Sequence, residues 1–185
     1  MKWISPALAA CALFTAAAAQ IPHLADPGKL LPADPIWTKA TDAKLSAFER
    51  TTGVRILVEF HLKSPPAEED KVPGAYMSAL SRKLGTLQHG VLVVYFADDP
   101  DWRVWIGDDL TSAFVGKPGT VKELTTSGAI HDVKDAMLTG ARAKADTAFA
   151  ALQKSAPAGQ PPAAAQQLAL QTDALLDALL AKFGK

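Results

Sequence analysis

Residues Val91 to Phe96 read Val-Leu-Val-Val-Tyr-Phe, six positions without a charged or amide side chain. A strand with no polar face must be covered on both faces, so this segment predicts a central strand in a layered α/β protein rather than an edge or a half-solvated sheet. The chain then turns sharply through Ala97 to Asp101, with Pro100 inside the turn, and resumes at Trp102-Arg103-Val104-Trp105-Ile106. So short a turn requires an antiparallel hairpin. Trp102, Val104 and Ile106 share one face of the returning strand, and Trp105 lies on the other.

Upstream, Val54 to Leu62 alternates, with Val54, Ile56, Val58, Phe60 and Leu62 on one face and Arg55, Leu57, Glu59 and His61 on the other. A helical segment, about Pro73 to Leu84, separates this strand from the central one, so the two are expected to run parallel. The fold class that follows is α/β, a three-layer α/β/α sandwich with a small mixed sheet and a C-terminal helical extension. A first helix is expected from Asp34-Pro35, cap and first helical position, to about Thr52. It buries Thr41, Leu45, Phe48 and Thr52 and ends at Gly53, where the left-handed conformation favours glycine. A long helix follows from Ile130 to Leu152, with Ile130, Val133, Met137, Ala141, Ala145, Ala148 and Leu152 on one stripe.

The ends of the chain have a different character. Residues 1–19 combine a positive start at Lys2, an apolar stretch from Trp3 to Phe14, and Ala17-Ala18-Ala19 before Gln20, the pattern of a cleaved secretory signal. Its apolar stretch is too short for a stable membrane span. Cys11 is the single cysteine of the chain and lies inside this segment, so a chain cut after Ala19 has no disulfide and no thiol chemistry. Residues 20–34 form an irregular lead-in rich in proline. Residues 35–154 form the α/β/α domain, 155–162 a Pro/Ala linker, and 163–185 a last amphipathic helix. Asp173 and Asp177 interrupt that helix, so no transmembrane span is expected in the mature chain. The chain carries 19 basic and 19 acidic residues, which leaves no basic field for nucleic acid.

Taken together, three segments resemble the TPM domain family, named for a thylakoid-lumen protein, a photosystem II repair protein and a receptor modulator. They are Leu45-x-x-Phe48-Glu49-x-x-Thr52-Gly53-Val54-x-Ile56-x-Val58, Gly90-Val91-Leu92-Val93-Val94 leading to Asp99, and Arg103-Val104-x-Ile106-Gly107-x-x-Leu110. The chain departs from the family pattern at His89, at Asp99-Pro100 and at Asp108-Asp109. The resemblance implies an α/β/α sandwich, export, calcium binding in some members, and acid phosphatase activity in plant relatives.

The acidic clusters are where chemistry is expected. Asp98, Asp99 and Asp101 crowd the hairpin turn, and several carboxylates on one loop suit calcium, or magnesium, which take oxygen ligands. Open α/β sheets bind ligands beyond the carboxyl ends of their strands. That end carries both the turn and the His61 to Asp70 loop, so Glu68, Glu69 or Asp70 are candidates to complete the site. Asp108 and Asp109 follow the hairpin's second strand, roughly 15 to 20 Å from the turn, and are read as a cap or turn. His23, His61, His89 and His131 show no metal-ligand spacing. There is no Gly-x-Ser-x-Gly elbow and no Walker or dinucleotide fingerprint. The reading is a periplasmic or secreted protein with a binding or accessory role in the cell envelope, calcium the expected ion, its partner an envelope protein. A metal-dependent acid phosphatase acting on a small phosphate ester is the alternative.

Overall fold

The computed structural model describes residues 21–184. The expected signal sequence over residues 1–19, with Cys11, lies outside the described residues. The elements are β1 (Leu24–Ala25), α1 (Pro35–Thr52), β2 (Arg55–His61), α2 (Ala75–Leu84), β3 (Gly90–Phe96), β4 (Asp101–Ile106), a 3-10 turn (Asp108–Leu110), α3 (Thr111–Val115), α4 (Val121–Thr126), α5 (Ala129–Ser155) and α6 (Ala164–Phe183).

The sheet order is β1-β2-β3-β4. β1 and β2 are parallel, as are β2 and β3, whereas β3 and β4 form the expected antiparallel hairpin. Helices cover both faces, as a strand like β3 demands. One face carries Ile56, Val58, Phe60, Val91, Val93, Trp102, Val104 and Ile106 against α1, α5 and α6. The opposite face carries Leu57, Leu92, Val94 and Phe96 against Met77, Tyr76, Leu80 and Leu84 of α2. The alternation seen in β2 therefore sorts its side chains between two unequal cores.

Local chemistry sets the boundaries of α1. The Asp34 carboxylate accepts from the amides of Ile36 and Trp37, satisfying two of the first-turn donors that have no partner within the helix. Gly53 closes the helix at φ 74°, and its amide donates to the Glu49 carbonyl. At the far end of the sheet, Gly107 permits a close approach. A Cβ there would lie 2.4 Å from the Gln88 carbonyl oxygen, so the chain leaving β4 can cross the entry to β3 only as glycine.

Two expectations are revised. The lead-in is not wholly irregular, because Leu24 and Ala25 pair with Val58 and Glu59 as a fourth strand. His23 anchors it. Its amide donates to Asp42 Oδ1 at 2.8 Å, and its buried ring donates from Nδ1 to the Ile56 carbonyl at 2.9 Å. The other ring nitrogen lies 3.2 Å from Glu49 Oε2, close enough for an ion pair but not aligned as a hydrogen bond. The expected C-terminal helix is present and packs onto the domain. Leu168, Leu175, Leu176 and Leu179 of α6 are buried in the larger core, and Trp37 Nε1 donates to Asp173 Oδ2 at 2.9 Å. Finally, Leu152 leaves the expected stripe and is 42% exposed. A helix of 27 residues is about 40 Å long, while a seven-residue strand spans about 23 Å, so the end of α5 overruns the sheet.

Candidate functional site at the carboxyl end of the parallel strands

β2 ends at His61 and β3 at Phe96, side by side in register. The two segments that leave them, the loop from Leu62 to Gly74 and the turn from Ala97 to Pro100, form the end of the sheet where ligands are expected. Each half-buried charge here has a partner, and so does Asp98, which is exposed in the turn. Asp98 Oδ1 accepts from the Ser64 amide at 2.7 Å and from the Ser64 hydroxyl at 2.9 Å, which ties the loop to the hairpin turn. Some desolvation pushes the Asp98 carboxyl up. The hydrogen bonds from the Ser64 hydroxyl and amide, and from the amides of Asp98 and Asp99, together outweigh it and hold the carboxyl below its ordinary value.

Phe96 is fully buried and forms the floor of the site. The Arg103 guanidinium lies 4.9 Å from the centre of its ring and donates to Asp70 Oδ2 at 2.7 Å. The His61 ring meets Phe96 edge-on at 5.6 Å, and His61 Nε2 lies 2.8 Å from Glu59 Oε2. Tyr76 approaches the same phenyl ring from α2. Burial pushes its hydroxyl pKa up, and the nearby Glu59 and Glu69 charges add to that against the opposing pull of Arg103.

The predicted site residues separate along this geometry. Asp98 is fixed by Ser64. Asp99 is exposed in the turn, and Asp101 opens β4 opposite Phe96. Asp70 does not complete a carboxylate cluster, because it is committed to Arg103, while Glu68 and Glu69 are exposed in the loop. Among the described residues, no three His, Cys, Asp or Glu side chains come together as a group that could hold a metal ion. Asp108 and Asp109 lie beyond the opposite end of β4, where Asp108 accepts from Gln88 Nε2 at 3.2 Å. The loop between β2 and α2 thus supplies a serine that fastens it to the hairpin turn and an acid that fastens it to β4. Asp70 lies at this end, as its place in the loop after β2 predicts. Ser64 carries no such signal, because it is 34 residues from Asp98 in the sequence.

No known family's sequence profile matches the chain, and no curated protein matches it. Among solved structures, the chain is similar to the solution NMR structure of the N-terminal domain of a protein from P. gingivalis. The match has 14% identity and a TM-score of 0.45, and it covers 90% of this chain and 87% of that one. Among the described residues, no helix is long and apolar enough to cross a membrane.

Proposed function

We propose that this is an exported protein of the TPM type with a binding or accessory role in the cell envelope, acting from the carboxyl end of its sheet, with calcium as a weakly held ion at the hairpin turn. The observation that carries this reading is the internal pairing of the site: Asp98 with Ser64, Asp70 with Arg103, and Glu59 with His61. A phosphatase of this type needs a group free to move a proton and a cation free to meet phosphoryl oxygens. Here Arg103 is occupied by a carboxylate and a phenyl face. Pairs of this kind instead hold a surface in one shape, which is what recognition of a partner requires. The three segments quoted above support the family, and the leader-like first residues support export to the periplasm or beyond.

Calcium enters through Asp98, fixed and favoured in its ionised form, and through the neighbouring exposed Asp99 and Asp101. Two of the three carboxylates must be ordered when the ion binds, which costs side-chain entropy. The affinity therefore falls at the weak end for such sites, about 10⁻⁴ to 10⁻³ M. The alternative, a metal-dependent acid phosphatase, would use the same turn and would need exposed Lys63 or Lys71, or an Arg103 released from Asp70, to meet the phosphoryl oxygens.

A thermal-shift titration with calcium, run beside a generic phosphate-ester assay on the chain from Gln20 onward, tests both. Stabilisation by calcium without turnover, lost in Asp99→Ala, is the expected result. Turnover abolished by Asp99→Ala would establish the phosphatase, and no response to calcium would remove the metal from the account.

A further inference from the structure

A second site lies away from the hairpin turn. Where β4 ends, the chain passes the entrance of α2 and the beginnings of α4 and α5, and these enclose a cavity of about 360 Å³. The volume lies within the range of small-ligand sites. Its walls are largely apolar: Trp105 and Ile106 of β4, Val121 of α4 and Ile130 of α5.

Lys134 also lines this cavity, one helical turn beyond Ile130. Its side chain is half-buried, and among the described residues it makes no hydrogen bond and no ion pair within 4.0 Å. The carboxylate on the cavity wall, Asp108, instead accepts from Gln88. Burial pushes the Lys134 amine down from its ordinary value, opposed by the charge of exposed Asp135. A cation in largely apolar surroundings with no carboxylate in direct contact is costly, and an anion brought to it relieves that cost.

We propose that this cavity binds a small amphipathic carboxylate, its head group on Lys134 and its hydrocarbon body along Trp105, Ile106, Val121 and Ile130. The charge of Lys134 selects an anion, and the walls select an apolar body. A free metal ion or a strongly hydrated anion would gain little from those walls. His131 also lines the cavity and is exposed, which places a second polar group beside the head-group position. The site is independent of the hairpin turn, which is at the other end of β4, so calcium binding and carboxylate binding stand or fall separately.

Octanoate and 1-octanol, which share a chain and differ in head-group charge, test the assignment by calorimetry on the chain from Gln20 onward. Trp105 fluorescence provides a second readout. The expected result is saturable octanoate binding at least about tenfold tighter than octanol, the ratio set by one hydrogen bond to a charged group. Lys134→Met should bring octanoate to the level of octanol while leaving octanol unchanged and the thermal melt intact. As a second variant, Val121→Asp should weaken both ligands, because it charges the apolar wall. Equal binding of the two ligands, no saturable octanoate binding, or undiminished octanoate binding in Lys134→Met would each overturn the proposal.

Discussion

Leu179 sits near the end of a helix that follows a proline-rich linker, yet its side chain is fully buried in the larger core. Leu179→Ala removes three buried carbons. Neighbours that close-pack around the site relax only in part, so the cost is about 3 kcal/mol, within the 2 to 5 kcal/mol seen for such changes. Alanine and leucine have similar helix propensities, so the cost reports packing rather than helix formation. For a chain of this size about 3 kcal/mol corresponds to a fall in Tm of roughly 6 to 12 °C. Leu152→Ala, at the overrun end of α5 where the side chain is 42% exposed, serves as the control and should cost less than about 0.5 kcal/mol. Urea titrations followed by far-UV circular dichroism give both values from the shift in midpoint at constant slope. If Leu179→Ala falls within about 1 kcal/mol of the control, α6 is not part of the cooperative core and the packing described here is wrong.

Three further outcomes follow from the same geometry. Burial raises the Asp173 carboxyl above its ordinary value of 3.8, against the opposing hydrogen bond from Trp37 and the charge of Lys44, with Asp177 adding to the rise. Because the folded pKa lies above the unfolded one, this group favours the folded state at acid pH, and that contribution is lost as pH rises through the folded value. Asp173→Asn keeps an acceptor for Trp37, so it should be more stable than the natural chain at pH 7, with the advantage shrinking towards the ordinary aspartate value in a pH series of melts. Ser64→Ala removes the side-chain hydrogen bond to Asp98, so the Asp98 carboxyl should titrate higher by NMR; an unchanged titration would mean that Ser64 does not hold the turn. Gly107→Ala forces a Cβ onto the Gln88 carbonyl and should cost more than about 2 kcal/mol by urea denaturation, although its φ of −59° suits any residue.

The layered fold was legible because its signals are local. The unbroken apolar run of β3, the alternation in β2 and the glycine at the end of α1 each follow from backbone geometry within a few residues. The placing of Trp102 and Trp105 on opposite faces followed from the same period of two. The missed features all depend on contacts distant in sequence. β1 is two residues long and exists because His23 reaches Asp42 and Ile56, 19 and 33 positions away. The C-terminal helix itself was legible from its apolar stripe, but such a stripe does not name the surface it docks on. At the site, the acidic turn was visible as composition, but Asp70 looked free until Arg103 was seen to hold it. Lys134 gave no signal at all, since its lack of a partner is a property of the cavity.

In the proposed function, the turn from Asp98 to Asp101 binds calcium weakly as part of a binding surface. The most direct measurement is a calcium titration of the ¹⁵N-labelled chain followed amide by amide. Saturable shifts are expected at Asp98, Asp99, Asp101 and Ser64, with a Kd of about 10⁻⁴ to 10⁻³ M, abolished by Asp99→Ala. Amides at these four positions that stay unmoved at calcium well above about 1 mM, or shifts that persist unchanged in Asp99→Ala, would contradict it.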